Sequence, residues 1–211
     1  MARKRRAGSF DGSPYYGATC KFQFKGGAIA CVPREVINKY PDLAGLADMQ
    51  PDDKPITFSD VTERVGHMIL HFLFTGTYET LPQPSDDKTV DPIAAFTEAV
   101  QVYHEAVING LDELTELATV KIVQQGEVKT FSSIVKGLSR VSGVFEGDKT
   151  WLIEYLADRA AMAYETVSEE DISKLQDIDY DHTLVDILFK ANVKLKVKLQ
   201  QAEDSDGSSM E

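Results

Sequence analysis

The sequence predicts an α+β fold: a small three-stranded sheet packed with a cluster of helices, followed by a mostly helical extension. Two observations carry this. Apolar and polar residues alternate around Gly26-Gly27, the period of a half-buried hairpin. From Val61 onward the apolar residues recur instead at spacings of three and four, the period of helices with one buried face.

The elements follow in order. Cys20-Lys-Phe-Gln-Phe-Lys25 is the first strand, and Ala28-Ile-Ala-Cys-Val32 returns from a two-residue turn. That register places Cys20, Phe22, Phe24, Ile29 and Cys31 on one face, with Phe24 opposite Ile29 and Phe22 opposite Cys31. Cys20 then lies diagonal to Cys31, which disfavours a disulfide, and both read as small buried thiols. Pro33 suits a helix first turn, Val36, Ile37 and Tyr40 give it a short stripe, and Pro41 ends it. Leu43 and Leu46 occupy a second short turn, and Pro55 to Phe58 is a brief third strand.

Asp60-Val-Thr-Glu63 has the form of a capping box. Its helix presents Val61, Val65, Met68, Ile69, Phe72 and Leu73 on one face, and Gly76 stops it. Asp91-Pro92 opens the next helix, with Ile93, Phe96, Val100, Tyr103 and Val107 inward. Gly110 separates it from a helix bearing Leu111, Leu114, Leu117, Ala118 and Ile122, which makes a helical hairpin. Four further helices are expected: Phe131 to Leu138, a segment capped by Asp148, a short one opened by Ser168, and one carrying Leu184 to Ala191. Val193-Lys-Leu-Lys-Val-Lys-Leu199 alternates strictly and reads either as a lysine-protected edge strand or as the end of the preceding helix.

Length and charge bound the function. The 211 residues carry a formal net charge of −12, opposite to the basic field of a nucleic-acid binder. Arg3, Lys4, Arg5 and Arg6 are the exception, and they read as a solvated tail or a nuclear-import patch. No apolar run reaches the roughly 18 to 20 residues of a membrane span. No apolar stretch of a secretory signal follows the basic start, so the expectation is an intracellular chain, cytoplasmic or nuclear. The expected organisation is a flexible basic tail over 1–17, a domain over 18–125, a helical extension over 126–200 and a disordered acidic tail over 201–211.

Candidate chemistry is sparse. His67 and His71 share a helix face at the i, i+4 spacing that begins a zinc site, but no ligand cluster accompanies them. Gly147-Asp-Lys-Thr150 lacks the spacing and the preceding strand of a phosphate loop. There is neither a nucleophile elbow nor a dinucleotide fingerprint. The expectation is a non-enzyme without cofactor or metal.

The strongest motifs are Ile56-Thr-Phe-Ser-Asp-Val61 with His71-Phe-Leu-Phe-Thr-Gly-Thr-Tyr78. Val102-Tyr-His-Glu-Ala106 with Asn109-Gly-Leu-Asp-Glu-Leu114 follows. In this order they resemble the BTB/POZ domain over residues 18–125, and the layout resembles short fungal BTB-like proteins with a helical C-terminal extension. The resemblance implies a BTB/POZ-like fold and a protein–protein interaction module that forms homo- or hetero-oligomers. Its alternatives are a substrate adaptor on a cullin scaffold or a nuclear transcriptional co-regulator. At the place of the family's cullin-contacting triplet the chain reads Met49-Gln-Pro51, without the glutamate. The candidate interface residues are Met49, at that triplet, and Val193, Leu195, Val197 and Leu199, whose alternation suits addition to a sheet edge in another chain or pairing within its own. Neither direct nucleic-acid binding nor a membrane is expected.

Overall fold

Phe22 and Phe24 are the anchors of the sheet, and their alternation with Lys21 and Gln23 decides which of its faces is buried. The computed structural model describes residues 18–51, 54–81, 91–141, 143–145, 150–161, 192 and 195–199. Strands β1 (Thr19–Phe24), β2 (Ile29–Pro33) and β3 (Ile56–Phe58) form one sheet in the order β2-β1-β3. β2 runs antiparallel to β1, and β3 runs parallel to it. The helices are α1 (Arg34–Ile37), α2 (Pro41–Met49), α3 (Glu63–Thr75), α4 (Ala94–Ile108), α5 (Asp112–Gly126), α6 (Phe131–Leu138) and α7 (Thr150–Ala161). The α+β class therefore holds.

The hairpin register differs from the expected one by a single residue. Cys20 faces Val32, Phe22 faces Ala30 and Gln23 faces Ile29. The loop holds three residues, not two: Phe24 donates its amide to the Ala28 carbonyl at 2.9 Å, and Gly26 and Gly27 both take φ of 90°, where only glycine is unstrained. A one-residue shift turns every side chain of the strand over. Val32 joins Phe22, Phe24 and Ile56 in the core, while Ile29 and Cys31 are exposed on the opposite face. The expectation of two buried thiols is thus corrected. Both cysteines are free, Cys20 half-buried and Cys31 exposed.

Contacts divide the chain into two compact units: Met1–Val90 with Glu98–Lys121, and Asp91–Thr97 with Ile122–Glu211. In the first, α3 lays Val65, Met68, Ile69, Phe72 and Leu73 into the core, as its spacing predicts. Its N-cap is Thr62, whose hydroxyl accepts from the Val65 amide, so Asp60 is not the cap. Gly76 closes it in the left-handed region at φ 71°. The Phe24 ring lies flat against Gly66, where a Cβ would come within 2.7 Å of ring carbons. α4 buries not only Val100 and Tyr103 but Val102, His104, Glu105 and Ala106, more than one stripe.

In the second unit, Asp91 opens α4 as expected. Its carboxylate accepts from the Ile93 amide at 3.1 Å and pairs with Arg140; those two contacts, the amide first, hold it below the ordinary carboxylate value. Thr130 caps α6, which buries Ile134, Val135 and Leu138. Leu152 of α7 is fully buried. The Asp148 cap and the helices expected near Ser168 and Leu184 lie outside the described residues.

Residues 195–199 are helical, which corrects the strand reading for them. Lysine and leucine are strong helix formers, and an alternation this short also contains the i, i+4 pair of a helix. The described sheet consists of β1, β2 and β3 and does not include the segment.

Candidate functional site

Of the interface residues expected from the sequence, the one in the first unit stands on α2. Pro41 supplies a first position that needs no amide donor, and Leu43 buries the inner side of the helix. Leu46 and Met49 then share the outer side at a spacing of three. Met49 is 81% exposed and Leu46 is 38% exposed. Contiguous exposed apolar patches mark contact surfaces, whereas single exposed apolar side chains are ordinary; Leu46 and Met49 together make a small patch, and Val128, at 81%, is as exposed as Met49.

Arg34 holds this helix in place. Its guanidinium donates to the Ala44 carbonyl at 3.1 Å, to Asp48 Oδ1 at 2.7 Å and to Asn38 Oδ1 at 2.8 Å. A fourth contact reaches Cys20 Sγ at 3.8 Å. One planar cation thus ties β1, α1 and α2 together, a task suited to a fork of fixed donors. Sequence reasoning missed Arg34, because its partners lie four to 14 residues away in no recognisable pattern.

A polar cluster secures the chain leaving α3. Arg64 Nε pairs with Glu98 Oε1 at 2.8 Å, and its Nη2 donates to the Leu81 carbonyl at 2.8 Å. Burial, and secondarily the Glu98 carboxylate, pushes the Tyr78 phenol well above its ordinary value. The His71 ring nitrogen Nε2 lies 3.0 Å from Thr77 Oγ1 and 3.1 Å from Glu79 Oε2. The His67 and His71 rings stack at 6.3 Å. Among the described residues no group of three or more His, Cys, Asp or Glu could hold a metal ion. Among them too, no helix is long and apolar enough to cross a membrane.

The suggested interface residues separate as follows. Met49 is the most exposed of them. Leu195 and Leu199, 58% and 57% exposed, stand one helical turn apart on one face. Val197 is half-buried, and Val193 lies outside the described residues, as do Arg3, Lys4, Arg5 and Arg6.

Residues 32–128 match the family model of the HAC6 N-terminal domain. Two relatives from two strains of Aspergillus fumigatus are each named a subtelomeric hrmA-associated cluster protein. Each is 29% identical over 133 residues, covering 63% of this chain and 33% of the relative. The chain thus spans about a third of the length of the relatives it matches. No solved structure matches it.

These findings overturn the BTB/POZ resemblance: the family model that matches is the HAC6 N-terminal domain, and no BTB/POZ family is found. The physical reason is that the quoted motifs are local devices. Thr75-Gly76 is a left-handed helix stop, and Asn109-Gly110 joins two helices. Many α+β domains need the same residues at the same joints.

Proposed function

We propose that the chain is a non-enzymatic protein–protein interaction module, assembling into homo- or hetero-oligomers through the outer side of α2. The observation that carries this is Met49: a large apolar side chain, 81% exposed, on a short helix anchored by Arg34. Anchoring matters because a contact surface held rigid beforehand loses less entropy on binding. Through its likeness to the Aspergillus fumigatus relatives, we take its setting as a fungal subtelomeric hrmA-associated cluster. The helical pair Leu195 and Leu199 offers a second, smaller apolar surface of the same kind.

The test is mass by light scattering on a sizing column at two concentrations, for the native chain and for Met49→Asp. The native chain is expected above its 23.4 kDa monomer mass at the higher concentration. The variant, folded by circular dichroism, is expected to dissociate at about tenfold higher concentration, as a contact worth about 1.4 kcal/mol would give. An unchanged association curve for Met49→Asp removes α2 from the reading.

A further inference from the structure

We propose that the outer edge of β2 pairs with the same edge of a second copy of this chain, antiparallel about a two-fold axis at Ala30, joining the two sheets into one of six strands. This goes beyond the α2 surface, and it rests on the interaction-module reading only in making the chain self-associate.

In an antiparallel ladder, alternate residues direct both their N–H and C=O toward the partner strand. Phe24 donates to the Ala28 carbonyl, and Arg34 donates to the Ala18 carbonyl at 2.7 Å. The bonded pairs of the register are therefore Phe22 with Ala30 and Cys20 with Val32. Ile29, Cys31 and Pro33 then face away from β1. β2 is an end strand, and among the described residues nothing bonds to the backbone of Ile29 or Cys31. Sheet edges of this kind are ordinarily guarded by charge, by proline, by a bulge or by a covering segment, and among the described residues Pro33 at the end of the strand is the one such guard. Ile29-Ala-Cys-Val-Pro33 carries no charge at all, and Ile29 is 59% exposed.

The occupant is fixed by self-complementarity. A two-fold axis at Ala30 sets Ile29 of each copy against Cys31 of the other. All four outward groups of these two residues are then paired in each copy. Moving the axis to Cys31 would set the Ile29 carbonyl against Pro33, which has no N–H to give. Charge agrees with the first register. Exposed Lys25 precedes β2 and exposed Glu35 follows it. Antiparallel pairing brings the Lys25 end of one copy to the Glu35 end of the other, twice. The neighbouring Arg34 does not oppose this, because its charge is taken up by Asp48.

Two sets of variants test the pairing. In a Cys20→Ser background, Ile29→Cys places a thiol opposite Cys31 of the second copy, at a separation of about 5.5 Å between Cα atoms that a disulfide accepts. Mild oxidation is expected to give a covalent dimer from this variant and none from its Cys20→Ser parent or from Thr57→Cys on β3. Separately, Lys25→Glu is expected to raise the dimer dissociation constant about tenfold at low salt, and adding Glu35→Lys to restore it. Restoration by a second charge reversal excludes a mere folding defect. Failure to cross-link together with indifference to Lys25→Glu overturns the pairing. If Met49→Asp still disrupts association in that case, the α2 reading stands alone. A cross-linking, charge-sensitive dimer that ignores Met49→Asp would keep the β2 pairing and remove α2. A monomer at every concentration overturns both.

Discussion

Gly66 and Gly45 are both helical glycines, yet their surroundings give substitution opposite signs. A Cβ on Gly66 meets the Phe24 ring at 2.7 Å, whereas one on Gly45 meets nothing within 4 Å. Gly66→Ala is expected to cost about 1–3 kcal/mol as the ring is displaced from the core. Gly45→Ala is expected to gain about 0.5–1 kcal/mol by removing backbone freedom from the unfolded chain. Urea unfolding of the two variants checks both signs. Arg34 gives a second prediction at this scale. Arg34→Lys keeps the charge but cannot reach Asn38, Ala44 and Asp48 together, so it should lose about 1–3 kcal/mol, nearly as much as Arg34→Ala. The inward apolar residues were legible in the sequence because burial and periodicity coincide. Arg34 was not, since its value comes from bringing together groups that no spacing rule connects.

At the scale of elements, α3 shows what pattern reading resolves. Its inward face, from Val65 to Leu73, and its stop at Gly76 were both legible. Its start was not: Asp60 and Thr62 both suit a cap, and the Thr62 hydroxyl is the one that meets an open amide. Thr62→Ala should therefore cost about 1 kcal/mol and Asp60→Ala little, measured as denaturation midpoints. The same limit applies at residues 195–199, the described part of a seven-residue alternation over 193–199 that suits both a strand and a helix. Which of the two forms depends on whether a neighbouring strand is present, and a single segment cannot report that.

Across the whole molecule, the α+β class was readable because the two periodicities occupy separate stretches of chain. The family was not, because helix stops and turns recur wherever the backbone needs them. Alkaline pH offers a test on the intact protein. Burial raises the Tyr78 phenol, with Tyr40 raised for the same leading reason. Above the ordinary tyrosine value of about 10, the unfolded chain sheds the proton while the folded one keeps it. Stability should therefore fall as pH rises through that range, and Tyr78→Phe should flatten the decline in urea titrations at successive pH values. An equally steep decline in the variant would assign the effect elsewhere.

The three-residue hairpin loop also ties the pairing of β1 with β2 to a distant part of the chain. A two-residue loop would require the Lys25 amide to turn toward Ala28, but that amide is given to the Val61 carbonyl at 2.9 Å. The three-residue pairing, set by the burial of Val32, is thus also held by a residue far along the chain, at the threshold of α3. An excised hairpin would lack both this hydrogen bond and the core that buries Val32, and is expected to populate the shifted pairing as well. In the intact chain the Val61 carbonyl, by holding the Lys25 amide, favours the pairing that leaves Ile29 and Cys31 exposed.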